Sequence, residues 1–254
     1  MARRARIERN TEYDPFAPLY NRHWGADYRA GVMPIVERLL LSRLPPAAAL
    51  LDVCCGTGQF TQQVRRRGYR VAGVDASGEM IRFARQNAPG VRFTVADVRD
   101  FSLGSSFDGA YCIYESLNHV PDTDGLKLAF GCIRRHLKAG APFLFDLNRE
   151  EAYILYWNNT DAIVEPDNAF ITRSVYDEGT KIGTYDFTTF REDDFHAGKW
   201  LREDFTVRQT FHRMSEAQSA LLDAGFTDVS LQDARDAGMP GDAGYARTFF
   251  LASA

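Results

Sequence analysis

Between Ala48 and Asn148 short apolar runs alternate with amphipathic segments, and few folds satisfy that rhythm. Residues 49–54 read as a buried strand, and 60–67 as a helix closed by Gly68. A second strand is predicted over 69–74, a helix capped by Ser77 over 79–87, and a third strand over 91–95. A fourth strand follows at 107–113, then a helix from Gly125 to Leu137 and a fifth strand over 142–146. Strands and helices in alternation imply parallel strands joined by right-handed crossovers. The expected architecture is α/β, a doubly wound sheet with helices on both faces.

After Asn148 the rhythm changes. A short helix is predicted from Glu150 to Trp157, followed by three strand-like runs at 170–176, 181–190 and 200–211. Asp177-Glu178-Gly179-Thr180 and His196-Ala197-Gly198-Lys199 mark turns between them. This reads as an antiparallel β meander inserted where a crossover needs only about a dozen residues. The wound pattern resumes with Ser215 and Gln218 as a capping box, a helix to Ala224, and two closing strands near 227–231 and 247–251. The expected organisation is a disordered basic tail over 1–12, a main domain from 13–148 and 212–254, and a β-rich insertion over 149–211. Ahead of the first strand an aromatic stretch (Tyr13, Phe16, Tyr20, Trp24, Tyr28) leads into a helix around 34–41, which Pro45-Pro46 end.

A chain of 254 residues with 45% hydrophobic side chains can bury a sizeable core. Its net charge of −4 argues against nucleic acid as a partner. No apolar run approaches the ~20 residues of a membrane helix. Cys54, Cys55, Cys112 and Cys132 match no paired metal spacing, and the Arg-rich start lacks the apolar stretch of an export signal. A cytoplasmic protein with free thiols and no metal is expected.

The strongest local signal is Leu51-Asp52-Val53-Cys54-Cys55-Gly56-Thr57-Gly58-Gln59, at the end of the first strand. Glycines there let a ligand approach the backbone, and the following helix offers free N–H groups to anionic atoms. A third glycine is missing, since Thr61 stands in its place, which disfavours a nicotinamide dinucleotide. No Gly-Lys-Ser/Thr follows, so a P-loop is excluded. Asp75 ends the second strand at the roughly 20-residue distance where a carboxylate meets ribose hydroxyls. Asp97 ends the third, placed to accept from an adenine amino group while Val98 packs on the ring. Either aspartate alone reads first as a solvated strand-end residue, and a Gly-x-Gly turn alone is weak evidence, since tight turns use glycine for geometry. All three groups at one sheet edge argue for a nucleoside-containing cofactor.

The series Asp52-Val53-Cys54-Cys55-Gly56-Thr57-Gly58, Val74-Asp75-Ala76-Ser77, Ala96-Asp97-Val98 and Phe107-Asp108 resembles the class I S-adenosylmethionine (SAM) dependent methyltransferases, with Cys54 replacing the usual first glycine. The resemblance implies a Rossmann-like seven-stranded sheet with a closing antiparallel hairpin, and S-adenosylhomocysteine as product. It implies that Cys54, Gly56 and Gly58 hold the methionine part, Asp75 the ribose, and Asp97 with Val98 the adenine, beside Ala76 and Met80. Tyr20, Trp24 and Tyr114 are the aromatic residues expected around the cationic sulfonium. For Tyr20 and Trp24, plain packing of an N-terminal helix stays open.

In this fold Tyr114-Glu115-Ser116-Leu117-Asn118-His119-Val120 faces the reacting methyl. Amino-sugar N-methyltransferases carry a similar Asn-His here and a strand insertion after strand five that cups the acceptor. The resemblance therefore implies a small-molecule acceptor, an amine ahead of an oxygen. His119 is either a general base or a loop hydrogen-bonding group. Glu115 either attracts a cationic amine or serves as a helix-start charge. Tyr13, Asn118 and Arg202 are further acceptor candidates, and Glu203, His212 and Arg247 are weaker ones. The meander is read as an acceptor lid or a homodimer surface. An O-methyltransferase, or a SAM-binding protein catalysing cyclisation or rearrangement, is the alternative.

Overall fold

The computed structural model describes residues 12–24, 28–192, 198–239, 241 and 244–254, with backbone alone at 28–30. Five parallel strands form the main sheet: β1 (Ala49–Val53), β2 (Arg70–Asp75), β3 (Arg92–Val95), β4 (Gly109–Cys112) and β5 (Pro142–Asn148). An antiparallel hairpin closes it, β10 (Thr227–Asp233) with β11 (Arg247–Ser253), in the order β10-β11-β5-β4-β1-β2-β3. The expected doubly wound, seven-stranded sheet is thus present. The tail assigned to 1–12 lies outside the described residues except Glu12, whose carboxylate pairs with Arg208.

Alternate strand residues feed two cores. Leu51, Cys112, Phe143, Phe145 and Phe250 pack on one face with α5 (Thr123–Arg135) and α7 (Met214–Asp223). Leu50, Tyr111, Leu144 and Phe249 face the opposite way, toward α2 (Tyr28–Leu39) and α3 (Gln59–Arg66). This side-to-side alternation follows from the two-residue period of a strand, and both faces are apolar because both are covered. α4 (Gly78–Asn87) is capped as expected, Ser77 Oγ accepting from Met80 N at 3.0 Å. α7 departs from expectation: it starts at Met214 after Arg213 with no side-chain cap, so Ser215 lies inside the helix. α2 ends at Leu39 and a 3₁₀ turn (Leu41–Arg43) intervenes before the two prolines.

Between β5 and α7 the chain forms α6 (Glu150–Tyr156) and a separate antiparallel sheet: β6 (Thr160–Val164), β7 (Asn168–Asp177), β8 (Ile182–Glu192) and β9 (Trp200–Thr210). Four strands stand where three runs were expected. The missed one, β6, is an edge strand exposed at all five residues, so no alternation marks it. The β7–β8 turn is built by Asp177, whose Oδ1 accepts from the N–H groups of Gly179 and Thr180. Of the other turn signal, residues 196 and 197 lie outside the described chain. Phe187 and Phe205 stand opposite each other across β8 and β9, stacked at 4.8 Å.

The N-terminal segment straps the two sheets together through α1 (Ala17–Leu19) and a π-helical turn (Tyr20–Trp24). Asn21 Oδ1 accepts from Gln59 and Asn87 on the main sheet's helices, while Arg22 forks onto Asp167 between β6 and β7. Among the described residues no helix is long and apolar enough to cross a membrane. Phe145 is fully buried, stacked on Phe143 at 5.0 Å and on Phe250 at 4.7 Å. Phe145→Ala should cost about 3–5 kcal/mol in denaturant unfolding, and a loss under ~1 kcal/mol would contradict this packing.

Candidate active site

The carboxyl ends of β1, β2 and β3 open on a cavity of about 460 Å³, closed over by the strap and by the inner face of the four-stranded sheet. Its size suits a small-molecule site, for which roughly 300–1,000 Å³ is usual. After β1 the chain turns through Cys54 (φ +56°) and Gly56 (φ +51°). A non-glycine residue in the left-handed region stores strain of the kind found at functional sites. Gly56 N–H donates to Asp75 Oδ2 and Ser77 N–H to Oδ1, both at 2.9 Å, so one carboxylate ties the turn to the end of β2. Burial pushes Asp75 up to about 6 against those two bonds.

Tyr20, Trp24, Cys54, Gly56, Asp75, Ala76, Met80, Asp97, Val98 and Tyr114 all line the cavity. Gly58 does not. It precedes α3 at φ +70°, where a Cβ would sit 2.8 Å from Ala84 Cα; its glycine serves the close packing of α3 on α4. At Gly56 a Cβ would project to 3.7 Å from the Tyr20 ring, into the space between turn and strap that a bound group would occupy. Asp97 is already engaged: Arg99 donates from its backbone N–H and Nε to Oδ1 and from Nη2 to Oδ2, at 2.7–2.8 Å. Oδ1 already accepts twice, while Oδ2 accepts once and keeps a second lone pair, which leaves an adenine amino group a place.

At the far end, Tyr13, Glu115 and His119 line the wall. The Arg208 carbonyl lies 2.6 Å from His119 Nδ1 and only accepts, so Nδ1 carries the proton. Nε2 is then the acceptor, 2.7 Å from the Tyr13 hydroxyl and 3.2 Å from Gln209 Nε2. Burial lowers His119 to about 4 and pushes the Tyr13 phenol up, so both are neutral at pH 7. Asn118 is fully buried behind the wall, donating to the Thr210 carbonyl and accepting from Asn148 N–H. Arg202 is 61% exposed, paired with Asp204 outside the cavity, because its β9 position faces away. Glu203 is likewise outside, and His212 is buried against the Val120 carbonyl.

Tyr114 (φ +75°) and Glu115 (φ +43°) are both left-handed, and Asp146 holds them there by accepting from Glu115 N–H. Arg247 sits between the two acids, 2.6 Å from Glu115 and 2.7 Å from Asp146. Burial pushes both carboxyls up and the guanidinium down. Two carboxylates thus share one guanidinium under the cavity wall. The sequence reading missed Asp146 as a partner, as it missed Arg99, Phe16, Trp157, Phe170, Tyr185 and Phe187 on the wall. Tyr185 and Phe187 alternate along β8, the local signal that could have found those two.

The imidazole geometry has a direct readout. Followed by NMR, His119 should keep the neutral Nδ1–H form down to about pH 4. A titration centred near the unperturbed value of about 6.5 would contradict the buried, carbonyl-fixed tautomer.

Residues 50–140 match the family model for a methyltransferase domain. The chain is 31% identical over 170 residues to a dTDP-4-amino-2,3,4,6-tetradeoxy-D-glucose N,N-dimethyltransferase of Saccharopolyspora spinosa, covering 67% of this chain and 61% of that one. It is 34% identical over 153 residues to a ubiquinone biosynthesis O-methyltransferase of Xanthomonas axonopodis pv. citri, covering 56% and 63%. The matches thus span about three-fifths of these relatives. In fold it is similar to SAM-bound CalS10 of Micromonospora echinaspora, an amino pentose methyltransferase involved in calicheamicin biosynthesis. That likeness has a TM-score of 0.72 at 22% identity over 100% of this chain and 99% of the other. Residues 50–140 carry the match to a methyltransferase domain, and the fold around them is the Rossmann-like fold that the similar SAM-dependent methyltransferases of known structure share.

Proposed function

We propose that the chain transfers a methyl group from SAM to the nitrogen of a small-molecule amine and releases S-adenosylhomocysteine. The observation that carries this reading is a single cavity with Asp75 at one end and the Tyr13–His119 pair at the other. Asp75 would accept from the ribose hydroxyls, and Ala76, Met80, Asp97 and Val98 would hold the adenine. The Gly56 turn and the Cys54 carbonyl would hold the methionine part, with Tyr20, Trp24 and Tyr114 around the sulfonium. Bound there, SAM supplies an electrophilic methyl carbon on a positively charged sulfur.

The chain's own contribution is alignment and exclusion of water. The strap and the four-stranded sheet close the cavity from opposite sides, and in-line displacement gains most from a fixed approach in a dry site. Tyr13 is placed to accept an amine proton while giving its own to His119 Nε2, an arrangement the fixed Nδ1–H tautomer supports. An imidazole held near 4 is a weak base, so the pair serves as a transient proton path and as an orienting contact.

Asp75→Ala should weaken SAM binding at least tenfold in calorimetry and lower the unfolding midpoint, because two backbone N–H groups lose their acceptor; unchanged affinity would remove Asp75 from the ribose. Asp75 accepts from hydroxyls best when ionised and its carboxyl sits near 6, so SAM affinity should fall as pH drops below about 6. Asp75→Asn should flatten that dependence. His119→Ala and Tyr13→Phe should each lower kcat by ~10²-fold. The double variant should be no worse than the poorer single one, and additive losses would break the proposed pair.

A further inference from the structure

The charge on the cavity wall restricts what the acceptor carries. Among the described residues, the charged side chains lining it are the acids Asp75, Asp97, Glu115 and Asp161 and one cation, Arg99. Arg99 is held by both oxygens of Asp97 at the adenine end. Arg247, the guanidinium under the acceptor end, lies between Glu115 and Asp146 and is 7% exposed. Arg208 on β9 is paired with Glu12. Each of these guanidiniums therefore already faces a carboxylate. A diphosphate would bring about two negative charges to a wall of carboxylates on which, among the described residues, no cation is given over to it, and burying unpaired charge is costly. Forked arginine contacts are the strongest side-chain grip on a phosphate, and the guanidiniums named here are committed to carboxylates.

The rest of the acceptor end is aromatic. Trp157 and Tyr185 lie 4.1 Å apart between ring centroids, and Phe187 continues the surface to Phe16 at 4.6 Å. Glu115 lines this aromatic end with 18% of its side chain exposed. Ring faces around a carboxylate suit an ammonium on an apolar body.

Resting on the methyltransferase reading above, we infer that the acceptor is an amine on an apolar or aromatic, unphosphorylated body, and that the wall excludes amines linked to a nucleoside diphosphate. The relative from Saccharopolyspora spinosa acts on a dTDP-linked amino sugar, so this chain would differ from it in acceptor class.

The test is calorimetric titration of the full chain, first with S-adenosylhomocysteine and then, on the saturated protein, with separate probes. The probes are benzylamine, phenethylamine, the corresponding alcohols, and dTDP. At least one amine should bind tenfold or more tightly than its alcohol and than dTDP. Glu115→Gln should weaken that amine at least tenfold while leaving S-adenosylhomocysteine affinity unchanged. Because Glu115 is buried in an ion cluster, the exposed Asp161→Lys is the second variant: it should raise dTDP affinity at least tenfold. Binding of dTDP as tight as the best amine, amines no tighter than their alcohols, or silence from every amine would each overturn the inference while leaving the methyltransferase reading intact. Failure to bind S-adenosylhomocysteine would overturn both.

Discussion

The ion cluster of Glu115, Arg247 and Asp146 is the constraint on which the site's shape depends. Charges removed from water must be matched locally, and breaking a buried set by removing one member is far more costly than never having built it. Asp146 lies on β5, Arg247 opens β11 beside it in antiparallel register, and Glu115 follows β4. Meeting in one place, they fix how the last strands dock on the sheet. They also hold Tyr114 and Glu115 in left-handed backbone that neither residue would adopt unaided. That kink turns the chain toward the cavity and delivers the 3₁₀ turn Ser116–His119 to its wall.

From that wall the two halves of the site diverge in kind. The half around Asp75 and Asp97 is built from strand ends of the main sheet, so its groups are placed by backbone: a turn, two aspartates and small residues that permit close approach. The half around Tyr13 and His119 is built by the strap and the four-stranded sheet, so its groups are placed by side-chain packing and long-range bonds. His119 is held from β9 through the Arg208 carbonyl, and its partner Tyr13 comes from the strap. A scaffold with a constant cofactor end and an acceptor end made from an insertion can change acceptor without disturbing the sheet.

This division explains what was legible in the chain. Cys54, Gly56, Asp75, Asp97 and Val98 stand at strand ends whose positions follow from local apolar periodicity, and each was placed where it lies. Gly58 lies off the cavity wall because its glycine answers to Ala84 in a neighbouring helix, a contact with no local signature. Asn118 and Arg202 were expected at the acceptor and lie off the cavity wall, because sequence places a residue on an element without saying which way it faces. Arg247 and Asp146 are 101 residues apart, and nothing local in either segment announces their pairing. β6 escaped because an exposed edge strand lacks the alternation by which strands are read.

The most direct test of the account is a crystal structure of the chain with S-adenosylhomocysteine. The account predicts the ribose hydroxyls on Asp75, the adenine between Met80 and Val98, and the sulfur directed toward the Tyr13–His119 end of the cavity. A nucleoside bound elsewhere, or bound in this cavity with its sulfur turned away from that pair, would contradict it.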